Sequence, residues 1–255
     1  MKSVRDVIAV LLLVSLVQAG NEIWSEGTAR TLPAGRREVG IFSPWRYGKN
    51  DRMEIATHRI ANILIPNVRF KLSWPRSDGW FLASRHSFVY PTPLLRVISR
   101  EGTGGIISPE FNVPWILVTR QEVLVTREFE RRSLFTAKAG LALALLGGKL
   151  DSRTSIDLPV IFPRMVVYYN SWGINLGVDI SRPINQKLYY LIDFDLHISP
   201  GAEESVALEH KGLLLWRKHD LFSIMVGYKL TYGEYPFGTQ AHLFPVLDLV
   251  WAKQH

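Results

Sequence analysis

Between Lys187 and Ile198 the chain reads K-L-Y-Y-L-I-D-F-D-L-H-I. Leu188, Tyr190, Ile192, Phe194, Leu196 and Ile198 occupy one parity, and Lys187, Tyr189, Leu191, Asp193, Asp195 and His197 the other. Successive side chains of a β-strand point to opposite faces, so this period of two predicts a strand with one apolar and one charged face. A strand of a soluble sandwich shows the same alternation, but it puts its charged face outward and usually stops after about five or six residues.

The pattern recurs along the chain. Alternation predicts strands at 38–41, 52–58, 62–74, 80–90, 115–129, 134–146, 156–170, 173–181, 187–198, 206–217, 221–232 and 240–251. The stretch 115–129 reads as one strand, because Arg120-Gln121-Glu122 lacks the residues a hairpin turn demands. Pro159 and Pro163 imply a bulge or a frayed end in the 156–170 strand, since proline cannot donate to a ladder. Tyr47 to Asp51 reads as a turn by composition. Residues 91–114, rich in proline and glycine, form a long loop, with a helical turn or two over 93–98. A loop of that length is usually functional or disordered.

At the N-terminus, Lys2 and Arg5 precede an apolar run from Val7 to Val17, and Val17-Gln18-Ala19 is followed by Gly20. That is the order of a secretory signal peptide over 1–19. The run is shorter than the roughly 20 residues a bilayer-spanning helix needs, so an uncleaved anchor is the weaker reading. No cysteine is present, which excludes a lipoprotein anchor, disulfides and thiolate metal sites. Without residues 1–19 the formal charge falls from +7 to +6. A secreted chain of this charge is not expected to act on nucleic acid. Its basic excess suits anionic lipid, lipopolysaccharide or a pore lining, or serves solvation alone. Residues 20–36, mostly polar, read as a flexible periplasmic lead-in.

About twelve strands, most of about ten residues, with charge on one side and long apolar side chains on the other, match what a tilted strand needs to cross a bilayer. Trp45, Trp74, Trp80, Tyr90, Trp115, Trp172, Tyr232 and Trp251 lie near strand ends, as interfacial girdles require. An open sheet edge in lipid would leave backbone groups unpaired, so the sheet must close. The chain therefore resembles Gram-negative outer-membrane β-barrel proteins over residues 37–251, with 37–255 as the barrel. The resemblance implies an all-β, closed antiparallel transmembrane barrel in the bacterial outer membrane. Its implied partners are outer-membrane lipid, lipopolysaccharide and the barrel assembly machinery. Such barrels commonly finish on an aromatic residue; here Trp251 is followed by Ala252-Lys253-Gln254-His255. With both termini periplasmic, the strand count puts 43–51, 75–79, 130–133, 199–205 and 233–239 outside. It puts loop 91–114 on the periplasmic side, unless the count is off by one, and the loop could then tuck into the lumen as a plug.

The expected inner wall carries Glu54, Arg69, Lys71, Lys138, Arg164, Asp179, Asp193, Asp195, His197, Glu209, Lys211, Lys229 and Asp248. Acids gather on the eighth to tenth strands and bases on the third, sixth and eleventh, which could set up a transverse field. Such a wall suits a channel for small polar or charged solutes. It equally suits a barrel filled by interlocked ion pairs. A barrel enzyme acting on membrane lipid or lipopolysaccharide is the third reading. Asp193, Asp195 and His197 share a face, but residues two apart on a strand stand roughly 6.5–7 Å apart and need a partner from another strand to converge on a metal or a proton. Ser84 and His86 share a face without an evident acid. Gly102-Thr103-Gly104-Gly105 lacks the lysine and the strand-to-helix context of a phosphate loop. No catalytic residue, metal or cofactor is assigned.

Overall fold

In the computed structural model of the protein, residues 25–75, 78–102 and 106–254 are described; the expected signal peptide lies outside them. Twelve strands follow one another as an antiparallel meander. They are β1 (Arg37–Gly40), β2 (Trp45–Asn50), β3 (Met53–Thr57), β4 (Asn67–Ser73), β5 (Trp80–Val89) and β6 (Ile116–Phe129). Then come β7 (Ser133–Leu146), β8 (Trp172–Pro183), β9 (Leu188–Ile198), β10 (Val206–His219), β11 (Phe222–Tyr235) and β12 (Gly238–Lys253). Each pairs with its sequence neighbours, and β1 pairs with β12 to close the barrel. Two short helices, α1 (Thr92–Ile98) and α2 (Phe162–Asn170), lie in the two longest connections.

The parities read from the sequence become the two faces of the wall. On β9, Ile192 and Phe194 are exposed on the outside, while Leu191, Asp193 and His197 are buried inside. On β7, Phe135, Leu141, Leu143 and Leu145 face out and Thr136, Lys138, Ala142 and Ala144 face in. β6 is a single strand of 14 residues, as the missing turn residues require.

Two departures from the expected strands cancel in the count. Residues 45–50, expected mainly as a turn, form β2, with Arg46 and Gly48 turned inward. Residues 156–170, expected as a strand, instead form a loop and then α2. Pro163 sits in the first turn of α2, where its missing N–H costs nothing, and it cannot serve a central ladder. Met165, Val167 and Tyr168 then pack on Ala142 and Ala144 of the inner wall of β7, whose small side chains leave the room.

The added strand reverses every strand between it and α2. Call the end where β1 begins and β12 finishes the near end. The connections 51–52, 74–79, 130–132, 184–187 and 220–221 lie there, and all are short. The far end holds 41–44, 58–66, 90–115, 147–171, 199–205 and 236–237. The expected placement is thus corrected: 75–79 and 130–133 sit at the near end, and loop 91–114 sits at the far end with the other long loops.

The wall is uneven in height. β1 pairs only with Val250–Lys253 of β12, so the far half of β12 extends past it. Pro245 falls in this overhang, which suits a residue with no N–H to donate. Outside, an apolar band that includes Leu141, Leu176, Val178, Ile192, Leu214, Val226 and Leu247 runs across β7 to β12. Trp74, Trp80, Phe129, Trp216 and Trp251 are exposed toward the near end, and Trp115, Trp172 and Tyr232 toward the far end.

Candidate functional site

The interior is charged, and the register explains how. Lys138, Gly177, Asp195, Glu209 and Thr231 stand in one row across β7 to β11. Thr136, Asp179, Asp193, Lys211 and Lys229 stand in the next. Lys138 Nζ meets Asp179 Oδ1 at 2.9 Å, Asp193 Oδ1 at 2.9 Å and Asp195 Oδ1 at 2.6 Å. Lys211 Nζ lies 2.8 Å from the other Asp193 oxygen. Glu209 accepts from Lys229 Nζ at 2.7 Å and from both terminal nitrogens of Arg164, which reaches down from α2. The acids and bases expected on separate strands are therefore joined in pairs, and their fields cancel locally. In a low-dielectric interior an unpaired charge would cost several kcal/mol, so this pairing is what lets the wall be charged at all.

Residues 25–36 run inside the barrel against β2 to β6. Ser25, Thr28, Ala29 and Leu32 are all buried. Ala29 N donates to Thr126 Oγ1 at 2.8 Å and Leu32 N to Glu54 Oε2 at 3.0 Å. Lys71 Nζ donates to the carbonyl of Ser25 at 2.6 Å, and Arg46 Nη2 to its hydroxyl at 2.6 Å. Arg69 pairs with Glu26 at 3.3 Å, and Arg30 with Glu128 at 2.6 Å. Gly48 makes the fit possible: Gly35 and Arg36 exchange backbone bonds with it at 2.8 and 2.9 Å, and a Cβ there would stand 2.6 Å from the Leu32 carbonyl oxygen. The segment expected as a lead-in is thus wedged in the near half of the lumen by polar bonds.

α2 fills the far half on the β7–β8 side. Between these two insertions, against β9 to β11, lies a cavity of about 100 Å³ lined by Arg164, Asp193, Asp195, Glu209, Lys211 and Lys229. Nearer the near end, inward-facing Leu191, Leu213, Leu215 and Met225 form an apolar layer. Beyond it a second space of about 40 Å³ opens between Ser25, Glu26 and Arg36 and the β10–β12 wall.

All the side chains expected on the inner wall point inward, in different settings. Six of them line the charged cavity. Glu54, Arg69 and Lys71 instead grip the 25–36 segment. Asp248 accepts the backbone N–H groups of Ile41, Phe42 and Ser43 at 2.7–3.1 Å and so ties the 41–44 connection to β12. Arg164 belongs to a helix, not a strand. Asp193 and Asp195 converge on Lys138, whereas His197 Nδ1 faces the Asn175 amide at 2.5 Å. Among its described residues, loop 91–114 joins the buried cluster that α2 forms with Ala142 and Ala144 at the far end of β7. Leu95, Ile107 and Val113 pack it against Leu150 and Ile156 of the 147–171 connection, over the β6–β7 rim.

Sequence reasoning missed Arg46, Arg85 and Glu122. Arg85 and Glu122 form a bidentate pair across the β5–β6 ladder at 2.8 and 3.0 Å. Their signal was available, since Arg85 holds the parity opposite to Trp80 and Leu82. Arg46 was hidden by reading β2 as a turn.

No protein-family model matches the chain, and no curated protein matches it. Among solved structures it is similar to the ferric yersiniabactin uptake receptor FyuA from Yersinia pestis, at 12% identity and a TM-score of 0.26. The match covers 88% of this chain and 44% of the receptor. A likeness that distant, to a protein of which the chain spans less than half, carries no argument about function; the barrel rests on its own strand pairing.

Proposed function

We propose that the protein is an outer-membrane barrel whose charged lumen conducts small charged solutes when residues 25–36 withdraw. The short connections of the near end fit the periplasmic side and the long far-end loops the cell exterior. The apolar band and its aromatic borders fit a bilayer. The observation that carries the reading is the way the lumen is shut. The near half is closed by a segment that runs on into the wall at Arg37 and is held largely by hydrogen bonds and ion pairs, which water and ions can replace. A lumen meant only to be solid gains nothing from charge, because well-packed apolar residues are often equally or more stabilising than buried ion pairs. The Leu191, Leu213, Leu215 and Met225 layer lies between the two spaces of the lumen, and apolar constrictions gate by dewetting.

Vesicles loaded with a large impermeant sugar and carrying the full mature chain should swell slowly in small charged solutes. Vesicles carrying a chain that begins at Arg37 should swell several-fold faster. Equal, background rates for both forms would make the lumen a permanently closed core.

A further inference from the structure

The lumen does not account for a second group of polar residues, on the outer face of β4 to β6. Ser84 and His86 face outward from β5, and Gln121 and Thr119 face outward from β6. Trp74 Nε1 donates to Ser84 Oγ at 3.3 Å. His86 Nε2 lies 2.9 Å from the same oxygen, and His86 Nδ1 is hydrogen-bonded to Gln121 Oε1. Gln121 Nε2 in turn donates to Thr119 Oγ1 at 2.5 Å.

The order of donors along this chain follows from chemistry. Thr119 takes the amide N–H, so the Gln121 oxygen faces the ring and can only accept. His86 must therefore carry its proton on Nδ1, which leaves Nε2 a lone pair, and the Ser84 hydroxyl is the donor to it. That is a nucleophile, a base and a group that orients the base. An amide can serve as the third member, because the role is to fix tautomer and ring orientation.

The position names the substrate class. Leu72 faces Ser84 across the ladder and β4 ends at Ser73, so on that side Ser84 stands close to the near-end rim. Trp74, just past the end of β4, marks this rim, and Trp80, at the start of β5, lies four residues closer to the near end than Ser84; both are about half exposed. Aromatic residues of that kind lie at the headgroup level of a bilayer, next to the ester carbonyls.

We propose that Ser84, His86 and Gln121 form a lipid-facing site that hydrolyses the acyl esters of glycerophospholipids in the leaflet at the near end. Ser84 Oγ attacks the acyl carbonyl while its proton passes to His86 Nε2. The carbonyl–alkoxy bond breaks, the alkoxide takes the proton from Nε2, and the lysophospholipid leaves. Water then attacks the acyl-serine, giving one proton to Nε2. The fatty acid departs, and the proton returns to Oγ. The Trp74 indole N–H, released from Oγ by the attack, then donates to the oxyanion. Gln121 is a positioning residue; it acts through His86.

The inference rests on the membrane placement proposed above, and the test keeps the two apart. The full chain is reconstituted into vesicles of phosphatidylethanolamine and phosphatidylglycerol. Flotation reports insertion, and released fatty acid and lysophospholipid report the reaction. Wild type should float and release both products. Ser84→Ala should float and fall to background, and His86→Ala should lose about 10²–10⁴-fold. Ser87→Ala, on the inward parity, should match wild type. Gln121→Ala should lose most of the rate. Gln121→Glu should keep activity while its acid limb moves to higher pH, because a carboxylate beside the imidazole raises its pKa. A purely structural role would not move that limb. Floating wild type that releases nothing, or Ser84→Ala as active as wild type, overturns the proposal. Release only from vesicles containing lipopolysaccharide would place the substrate in the opposite leaflet and overturn the depth assignment. A chain that fails to float refutes the membrane placement. Detergent-dispersed phospholipid then decides: Ser84-dependent turnover sustains the site, and no turnover overturns it.

Discussion

Gly177 faces Lys138 across the β7–β8 ladder so closely that a Cβ on the glycine would stand 2.6 Å from the lysine Cε. The lysine reaches Asp179, Asp193 and Asp195 only through that gap. Gly177→Ala therefore pushes the ammonium off its partners. Overpacking of this kind costs about 1–3 kcal/mol. A lowered midpoint for the loss of the heat-resistant compact form on electrophoresis would show it.

Lys138→Met removes the cation and leaves three carboxylates facing one another. Breaking a buried ion pair by deleting one partner costs about 3–5 kcal/mol, because the remaining charge is stranded. Adding Asp179→Asn should recover part of the loss, since Asp193 keeps Lys211 at 2.8 Å and Asp195 is partly exposed, which leaves Asp179 as the stranded charge. Denaturant midpoints in detergent measure both. Equal midpoints for Lys138→Met and wild type would contradict the ion-pair geometry.

Arg46 binds Ser25, Glu38 and Glu54 at once, at 2.6, 3.2 and 2.7 Å. Arg46→Ala should loosen residues 25–36 without opening the wall. Trypsin should then cut after Arg30 or Arg36 at least several-fold faster than in wild type, while the barrel fragment stays intact.

These predictions depend on features of differing visibility in the sequence. The inner and outer faces were legible wherever one parity was charged and the other long and apolar, as in β9 and β11. The strand count was right for a compensating reason. Gly48, Lys49 and Asn50 look like a turn, yet Gly48 is a glycine because the 25–36 segment lies against it. The M-V-V-Y-Y run of α2 has the residue types of a strand, and packing on Ala142 and Ala144 overrides that preference. The insertion of 25–36 could not be read, because its contacts join residues far apart in the chain, such as Ala29 with Thr126. The outward Ser84 and His86 pair was visible, but its third member needed the register between β5 and β6.

In the 147–171 connection, Asp151 accepts from Arg153 N at 2.9 Å, Nε at 3.0 Å and Nη2 at 2.8 Å. These bonds hold its pKa down to about 2, against an ordinary 3.8. The folded value lies below the unfolded one, so the stabilisation is complete above the ordinary value and is lost as the pH falls through about 2. Arg153 also lies 4.5 Å from the centre of the Phe111 ring and so links the two far-end loops. Asp151→Ala should reduce amide protection of Arg153 at pH 5 to the level that wild type reaches only below about pH 2. Hydrogen exchange of the protein in micelles measures this.

The most direct test of the plugged lumen uses the absence of cysteine in the chain. Ala29→Cys and Thr126→Cys place one thiol on the inserted segment and one on the wall it touches. Single-channel conductance of this double variant is recorded in a planar bilayer, first oxidised and then after a reductant is added. The account predicts a silent oxidised protein and discrete openings on reduction, more frequent still in a chain that begins at Arg37. Silence in every form would show that the lumen never opens, and conductance unchanged by the cross-link would show that residues 25–36 are not the gate.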